Sequence, residues 1–108
     1  FFFFFRVIIS SFNHESIQRF HQFHPTIQTA VLFSSLVTNI EHYVKTINSG
    51  ALHIWYFHAN RKIIRDALAN GATIRAFTVN DVKIAKELQS LGVEAIFTDD
   101  PGLMLAGL

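Results

Sequence analysis

Groups able to bind or move protons are gathered in five short clusters in this chain: Ser10-Ser11-Phe12-Asn13, Ser34-Ser35, His53-Ile54-Trp55, Thr78-Val79-Asn80-Asp81 and Thr98-Asp99-Asp100. Hydroxyl, amide and carboxylate groups of this kind can hydrogen-bond a ligand. They serve equally well as helix caps and turn residues, because a short side-chain oxygen accepts a free backbone N–H. Asn39, Asn60 and Asp100 read first as caps or turns, whereas Ser11 and Asn80 stand open between capping and binding. His53 and Trp55 are looser candidates. His14, His21 and His24 recur at +7 and +3 and so share one side of a predicted helix. Imidazole is a good zinc ligand, but only one helix contributes, no carboxylate joins it, and His24 falls with Ile17 and Phe20 toward the expected core. These three histidines therefore read as structural rather than as a metal clamp.

Each cluster ends an apolar run, and a helix signal follows most of them. The clearest case is Thr73 to Thr78, a predicted buried strand that stops at Val79-Asn80-Asp81. Asn80 or Asp81 can cap the helix that follows, whose Ile84, Ala85, Leu88 and Leu91 recur at helical spacing. Gly92 stands where a helix commonly exits through a left-handed residue. Glu94 to Asp100-Pro101 is a further short strand closed by a turn. Earlier in the chain, Arg6 to Ser10 reads as a strand and His14 to Phe23 as a helix stopped by Pro25. Thr29 to Phe33 is a strand, and Asn39 caps a helix with Ile40, Tyr43, Val44 and Ile47 in its stripe, ended by Gly50. Ala51 to Ile54 is a strand running into the aromatic loop Trp55-Tyr56-Phe57. Asn60 caps a helix with Ile63, Ile64, Ala67 and Leu68 inside and Gly71 at its exit.

Strand starts at 6, 29, 51, 73 and 94 are separated by 23, 22, 22 and 21 residues. That rhythm predicts βα units around a parallel sheet, since parallel neighbours need a crossover. Function in such sheets gathers at the C-terminal ends of the strands, where the polar clusters lie. No G-x-G-x-x-G follows a strand and there is no P-loop, so a nucleotide-binding open sheet lacks its signature. A complete (βα)8 barrel needs roughly 250 residues, so about five βα units in 108 residues read as the second half of one.

Composition narrows the function. Hydrophobic residues make up 50% of the chain, enough for a buried core. Nine Lys and Arg against eight Asp and Glu leave a net charge of +1, which is no footprint for nucleic acid. There is no cysteine, so disulfide and thiol chemistry are excluded. Phe1 to Phe5 is a low-complexity ragged end, and the domain is expected over residues 6–108. The apolar start is too short to span a bilayer and lacks the basic start and cleavage site of a signal peptide. The cytoplasm is the expected compartment, with secretion of the full-length protein as the alternative.

Val7-Ile8-Ile9-Ser10-Ser11-Phe12-Asn13, then Pro25, then Phe77-Thr78-Val79-Asn80-Asp81, then Gly92-Val93-Glu94-Ala95-Ile96-Phe97-Thr98-Asp99-Asp100-Pro101 resemble the C-terminal half of the glycerophosphodiester phosphodiesterases. The family's blocks read "viiSSFn", "WTVN" and "GVdgIiTDrP", in this order, and the resemblance covers about Arg6 to Leu105. Two positions depart from the pattern. Phe77 stands where the family usually has tryptophan, and Asp100 where it often has arginine.

The resemblance implies half of a (βα)8 TIM barrel of the phospholipase-C-like phosphodiesterase type. It implies a metal-dependent hydrolase of lipid and glycerol metabolism, cleaving a small-molecule glycerophosphodiester to an alcohol and sn-glycerol 3-phosphate. A divalent metal, Ca or Mg, is expected in the full-length enzyme. The family's catalytic blocks, an His-Arg-Gly, a Glu-x-Asp, an His-Asp and a Glu-x-Lys, are absent here. Glu15, Glu41, Glu87 and Glu94 lie in predicted helices or at a strand start, so no catalytic residue and no metal ligand is assigned. What remains is the substrate-side wall. The resemblance gives Ser11 a phosphate oxygen or a metal-bound water, and gives Phe12 and Phe77 the substrate's carbon skeleton. It leaves Asn80 a substrate hydroxyl unless that residue caps its helix. The fragment alone is expected to be inactive. Two rival readings remain: a non-enzymatic half-barrel that associates through its open sheet edges, and another phosphate-handling barrel.

Overall fold

The computed structural model describes residues 7–34, 39–40, 43 and 50–108. In chain order they form β1 (Ile8–Ser11), α1 (His14–Phe23), β2 (Gln28–Phe33) and β3 (Ala51–Trp55). A 3-10 turn (Tyr56–His58), α2 (Arg61–Ala69), β4 (Thr73–Phe77), α3 (Val82–Ser90), β5 (Ala95–Ile96) and α4 (Pro101–Gly107) follow. The strands make one sheet in the order β1-β2-β3-β4-β5, and every neighbouring pair is parallel. Arg6, Ser35, Glu41, Val44 and Ile47 lie outside the described residues. Of that segment, Ile40 is buried in the core and Tyr43 packs against it.

Strand register separates two faces. Val31, Leu52 and Ile74 stand side by side, and so do Phe33, Ile54 and Ala76. These six form one core with Ile17 of α1, Ile63, Ile64 and Ala67 of α2, Ala85 and Leu88 of α3, and Met104 of α4. The described helices therefore cover a single face of the sheet. Burial of such side chains stabilises by about 1.5–3 kcal/mol each, which fixes the register, since a one-residue slip would turn every one of them outward. The alternate residues point the other way. On that face lie Ser10, Ala30, Leu32, Ala51, His53, Trp55, Thr73, Arg75 and Phe77.

Each described helix starts at an Asx cap. Asn13 accepts from the Ser16 N–H at 3.0 Å, Asn60 from Ile63 at 3.0 Å and Asp100 from Leu103 at 3.0 Å. Between the two caps proposed for α3, the structure selects Asp81, which accepts from Lys83 at 2.7 Å and Ile84 at 3.4 Å. Gly71 and Gly92 leave their helices at φ 83° and 102°, a region that residues with a Cβ rarely enter.

Four differences from the sequence reading have local causes. His24 is exposed rather than turned to the core, because α1 ends at Phe23 and the His24 ring lies against Phe20, 5.0 Å between centroids. Leu68 is exposed, while Ala67 one position earlier takes the buried place. The final strand is only Ala95–Ile96. Beyond it lies α4, unforeseen, with Asp100 as its cap and Pro101 in its first turn, where the missing N–H costs nothing. Among the described residues no helix is long and apolar enough to cross a membrane.

Candidate functional site

The C-terminal ends of β3 and β4 place Trp55 and Phe77 side by side. With Ser34 and Thr78 they line an open hollow of about 400 Å3. Phe12, just beyond β1, meets Phe77 edge to face, with centroids 6.2 Å apart and rings at 85°. The wall extends past β3, where Trp55 contacts Phe57 at 4.9 Å and Tyr56 stacks on Phe57 at 4.2 Å. Phe12, Trp55 and Phe57 are exposed. A second hollow, of about 300 Å3, lies among the strand starts and is lined by Gln28, Gly50, Ala51, Thr73, Arg75 and Glu94. Barrels of this kind work at the other end.

Of the four residues assigned to the wall, Phe12 and Phe77 come together. The side chains of Ser11 and Asn80 have other partners. Ser11 pairs with Val31 of the helix-facing core, and its Oγ accepts the Asn13 N–H at 3.0 Å. Asn80 ties the end of β4 to the segment after β5. Its Nδ2 donates to Asp99 Oδ2 at 2.9 Å, and its Oδ1 accepts from Thr98 Oγ1 at 3.0 Å and from the Asp99 N–H at 2.9 Å.

Beneath the aromatic wall runs a polar chain. Ser10 Oγ lies 2.9 Å from His53 Nδ1, Arg75 Nη1 lies 3.2 Å from His53 Nε2, and Arg75 Nε donates to Glu94 Oε2 at 2.8 Å. His53 is only 2% exposed and is covered by the Phe97 ring, 4.9 Å between centroids. Burial, and then the adjacent Arg75 guanidinium, push the His53 imidazole down to about 4. From the sequence, Ser10 stands only within a polar cluster, Glu94 is set aside at a strand start, and neither they nor Arg75 are assigned to the site. The signal was present, however, in Ser10–Phe12, His53–Trp55 and Arg75–Phe77, three strands with a polar residue two positions before an aromatic.

The histidines of α1 are engaged elsewhere. His14 Nε2 donates to the Leu32 carbonyl at 2.8 Å and its Nδ1 meets the Tyr43 hydroxyl, so this residue docks α1 onto β2. Burial raises the Tyr43 hydroxyl above its ordinary value.

Nor do the described residues fit a divalent cation. Calcium or magnesium needs several converging oxygen ligands. Asp81 and Asp100 accept helix N–H groups, Asp99 is paired with Asn80, and Glu94 with Arg75. Among the described residues no three His, Cys, Asp or Glu side chains stand together as a ligand set.

Comparison with known proteins gives a consistent picture. A glycerophosphodiester phosphodiesterase of Bacillus altitudinis is 38% identical over 98 residues, covering 89% of this chain and 40% of that protein. The structure of an Oleispira antarctica phosphodiesterase in complex with the product sn-glycerol-3-phosphate matches 93% of this chain and 40% of its own, with a TM-score of 0.85 and 25% identity. A glycerophosphodiester phosphodiesterase from Thermotoga maritima shares the fold over 92% of this chain and 46% of its own, with a TM-score of 0.74 and 20% identity. The chain thus spans about 40% of the length of such relatives, and its parallel βα units are half of a (βα)8 barrel. The model of the glycerophosphoryl diester phosphodiesterase family matches residues 5–103, and the chain belongs to that family.

Proposed function

We propose that this chain is the substrate-side wall of a metal-dependent enzyme that splits a glycerophosphodiester into an alcohol and sn-glycerol 3-phosphate. In this reading the catalytic, metal-holding part of the barrel lies outside these 108 residues. The observation that carries it is the meeting of Phe12, Trp55 and Phe77 at the strand ends of a domain matched by the family over residues 5–103. The product held by the Oleispira phosphodiesterase supports a substrate of this class.

Hydrolysis of a phosphodiester needs its negative charge neutralised and its leaving oxygen protonated. The described side chains at this chain's strand ends supply neither. Asp81, Asp99 and Asp100 have structural partners, and the hollow is lined by two hydroxyls and two aromatic rings. Aromatic faces of this kind pack on the carbon skeleton of a small substrate and keep water from it, while Ser34 and Thr78 offer hydrogen bonds to its oxygens.

Release of glycerol 3-phosphate tests the proposal. The full-length protein with added calcium or magnesium is expected to turn over a glycerophosphodiester and to stop when a chelator is added. The purified 108-residue chain is expected to release none. Chelator-sensitive turnover by the short chain would overturn this division of labour.

A further inference from the structure

We propose that His53 is a positioning residue: fixed as one neutral tautomer between Arg75 and Ser10, it ties β1, β3 and β4 together one layer below the aromatic wall and sets the spacing of Phe12, Trp55 and Phe77. This rests on the reading of the strand-end hollow as the substrate wall.

Hydrogen-bond logic fixes the tautomer. A guanidinium has only donors. Arg75 Nη1, 3.2 Å from His53 Nε2, therefore requires that nitrogen to be an unprotonated acceptor. The ring proton then sits on Nδ1 and is donated to Ser10 Oγ, 2.9 Å away. A second proton on the ring would point at the Arg75 cation. The neighbours of His53 are Ser10 from β1, Arg75 from β4 with its partner Glu94, and the Phe97 ring beyond β5. None of these neighbours is a carboxylate in contact with the imidazole.

The reach of the bond depends on the residue between its partners. Ser10 and His53 lie on strands two apart, about 10 Å at the usual strand spacing, and are offset by two residues along the sheet. On the same face of the strand between them stand Ala30, the register partner of Ser10, and Leu32, the register partner of His53, and Ala30 is fully buried. A larger side chain there would stand in the path. Two positions further along their own strands, on the same face and about 6.6 Å higher, come Trp55 and Phe77, while Phe12 follows Ser10 by two residues just beyond β1 and meets Phe77. Fixing Ser10, His53 and Arg75 against one another thereby fixes the bases on which those rings stand.

The test uses the full-length protein labelled with 15N-histidine. Its spectra are expected to show His53 protonated at Nδ1, unprotonated at Nε2, and neutral across pH 5–8. Nuclear Overhauser contacts between the Phe12 and Phe77 rings should be present. His53→Phe should lose those contacts and raise KM about tenfold with kcat changed less than about twofold, the mark of lost binding geometry rather than lost chemistry. His53→Gln places an oxygen acceptor where Nε2 was and should restore both the contacts and KM. Should His53→Phe fail to fold, Ser10→Ala removes the Nδ1 partner with little change of volume and should show the same trend. An Nε2-protonated ring, titration near 6.5, or unchanged ring contacts in His53→Phe or Ser10→Ala would overturn the proposal. These spectra need no substrate, so a full-length protein without turnover would sink the functional reading alone.

Discussion

Asn80 and Asp99 are joined twice: the Asn80 amide donates to the Asp99 carboxylate at 2.9 Å, and its carbonyl oxygen accepts the Asp99 backbone N–H at 2.9 Å. Thr98 adds a third bond to the same carbonyl at 3.0 Å. The segment they hold follows a strand of only two residues, Ala95–Ile96, which has little ladder of its own. Two backbone bonds also tie it to the end of β4: the Val79 N–H donates to the Phe97 carbonyl at 2.8 Å and the Phe97 N–H to the Ala76 carbonyl at 2.9 Å.

Asn80→Ala should therefore destabilise the domain by about 1–2 kcal/mol, a discounted sum for three solvent-accessible bonds. Asn80→Asp should do worse, because it sets a carboxylate against that of Asp99. Urea midpoints of the three proteins measure this. An unchanged midpoint in Asn80→Ala would show that the backbone bonds suffice.

Acid should weaken the fold through His53. Its folded value is about 4, against about 6.5 for an unhindered histidine. Between those values the unfolded chain binds a proton that the folded chain refuses. Stability therefore rises with pH in that window: the contribution is complete above about 6.5 and is lost as pH falls toward 4. The full span is on the order of 3 kcal/mol. Denaturation midpoints of the parent and His53→Gln, taken from pH 7 to pH 4, should diverge in this sense. Parallel curves would mean that His53 charges normally in the folded state.

What the sequence revealed was what local chemistry dictates. Apolar runs at near-constant spacing, Asn60 and Asp81 before helices and Gly71 and Gly92 after them are decided within one turn of chain. Even α4 had its local signal in Asp100-Pro101, which reads equally as a turn. Facing was less legible. Ser10 and Ser11 are adjacent hydroxyls, and only register with Ala30 and Val31 turns the first toward His53 and the second toward the helices. The same holds for Ser10, His53 and Arg75, each partnered across more than twenty residues of sequence. Asn80 was read as cap or ligand because its partners, Thr98 and Asp99, belong to a strand end that pairing with β4 alone brings near.

Gly92 offers a backbone test. At φ 102° a Cβ is unfavourable in itself, and it would also come within 2.7 Å of Leu68 Cδ1. Leu68 is exposed and can rotate aside, so the backbone conformation should dominate. Gly92→Ala is expected to lose about 1–2 kcal/mol, the usual penalty for an L-residue forced to positive φ. Placing the same change on Leu68→Ala should leave most of that loss in place. A full recovery there, read from thermal midpoints, would mean that the contact and not the backbone made the glycine necessary.

The aromatic wall can be tested through Phe12 and Phe77 as a pair. Their edge-to-face contact, 6.2 Å between centroids, is of the kind that contributes about 0.5–1.5 kcal/mol beyond area burial. Truncating either ring to alanine in the full-length protein should raise KM for a glycerophosphodiester. The double variant should cost less than the sum of the two, because the partner of a lost ring has already lost its support. Phe77→Trp restores the residue that the resembling family usually carries. It keeps the aromatic face and adds an indole donor beside the hydroxyls of Ser34 and Thr78. It should leave KM equal or lower. A wall that only fills space, with no substrate on it, would show the same stability coupling between Phe12 and Phe77 while leaving KM unmoved in all four proteins, and that pattern would remove both rings from the site.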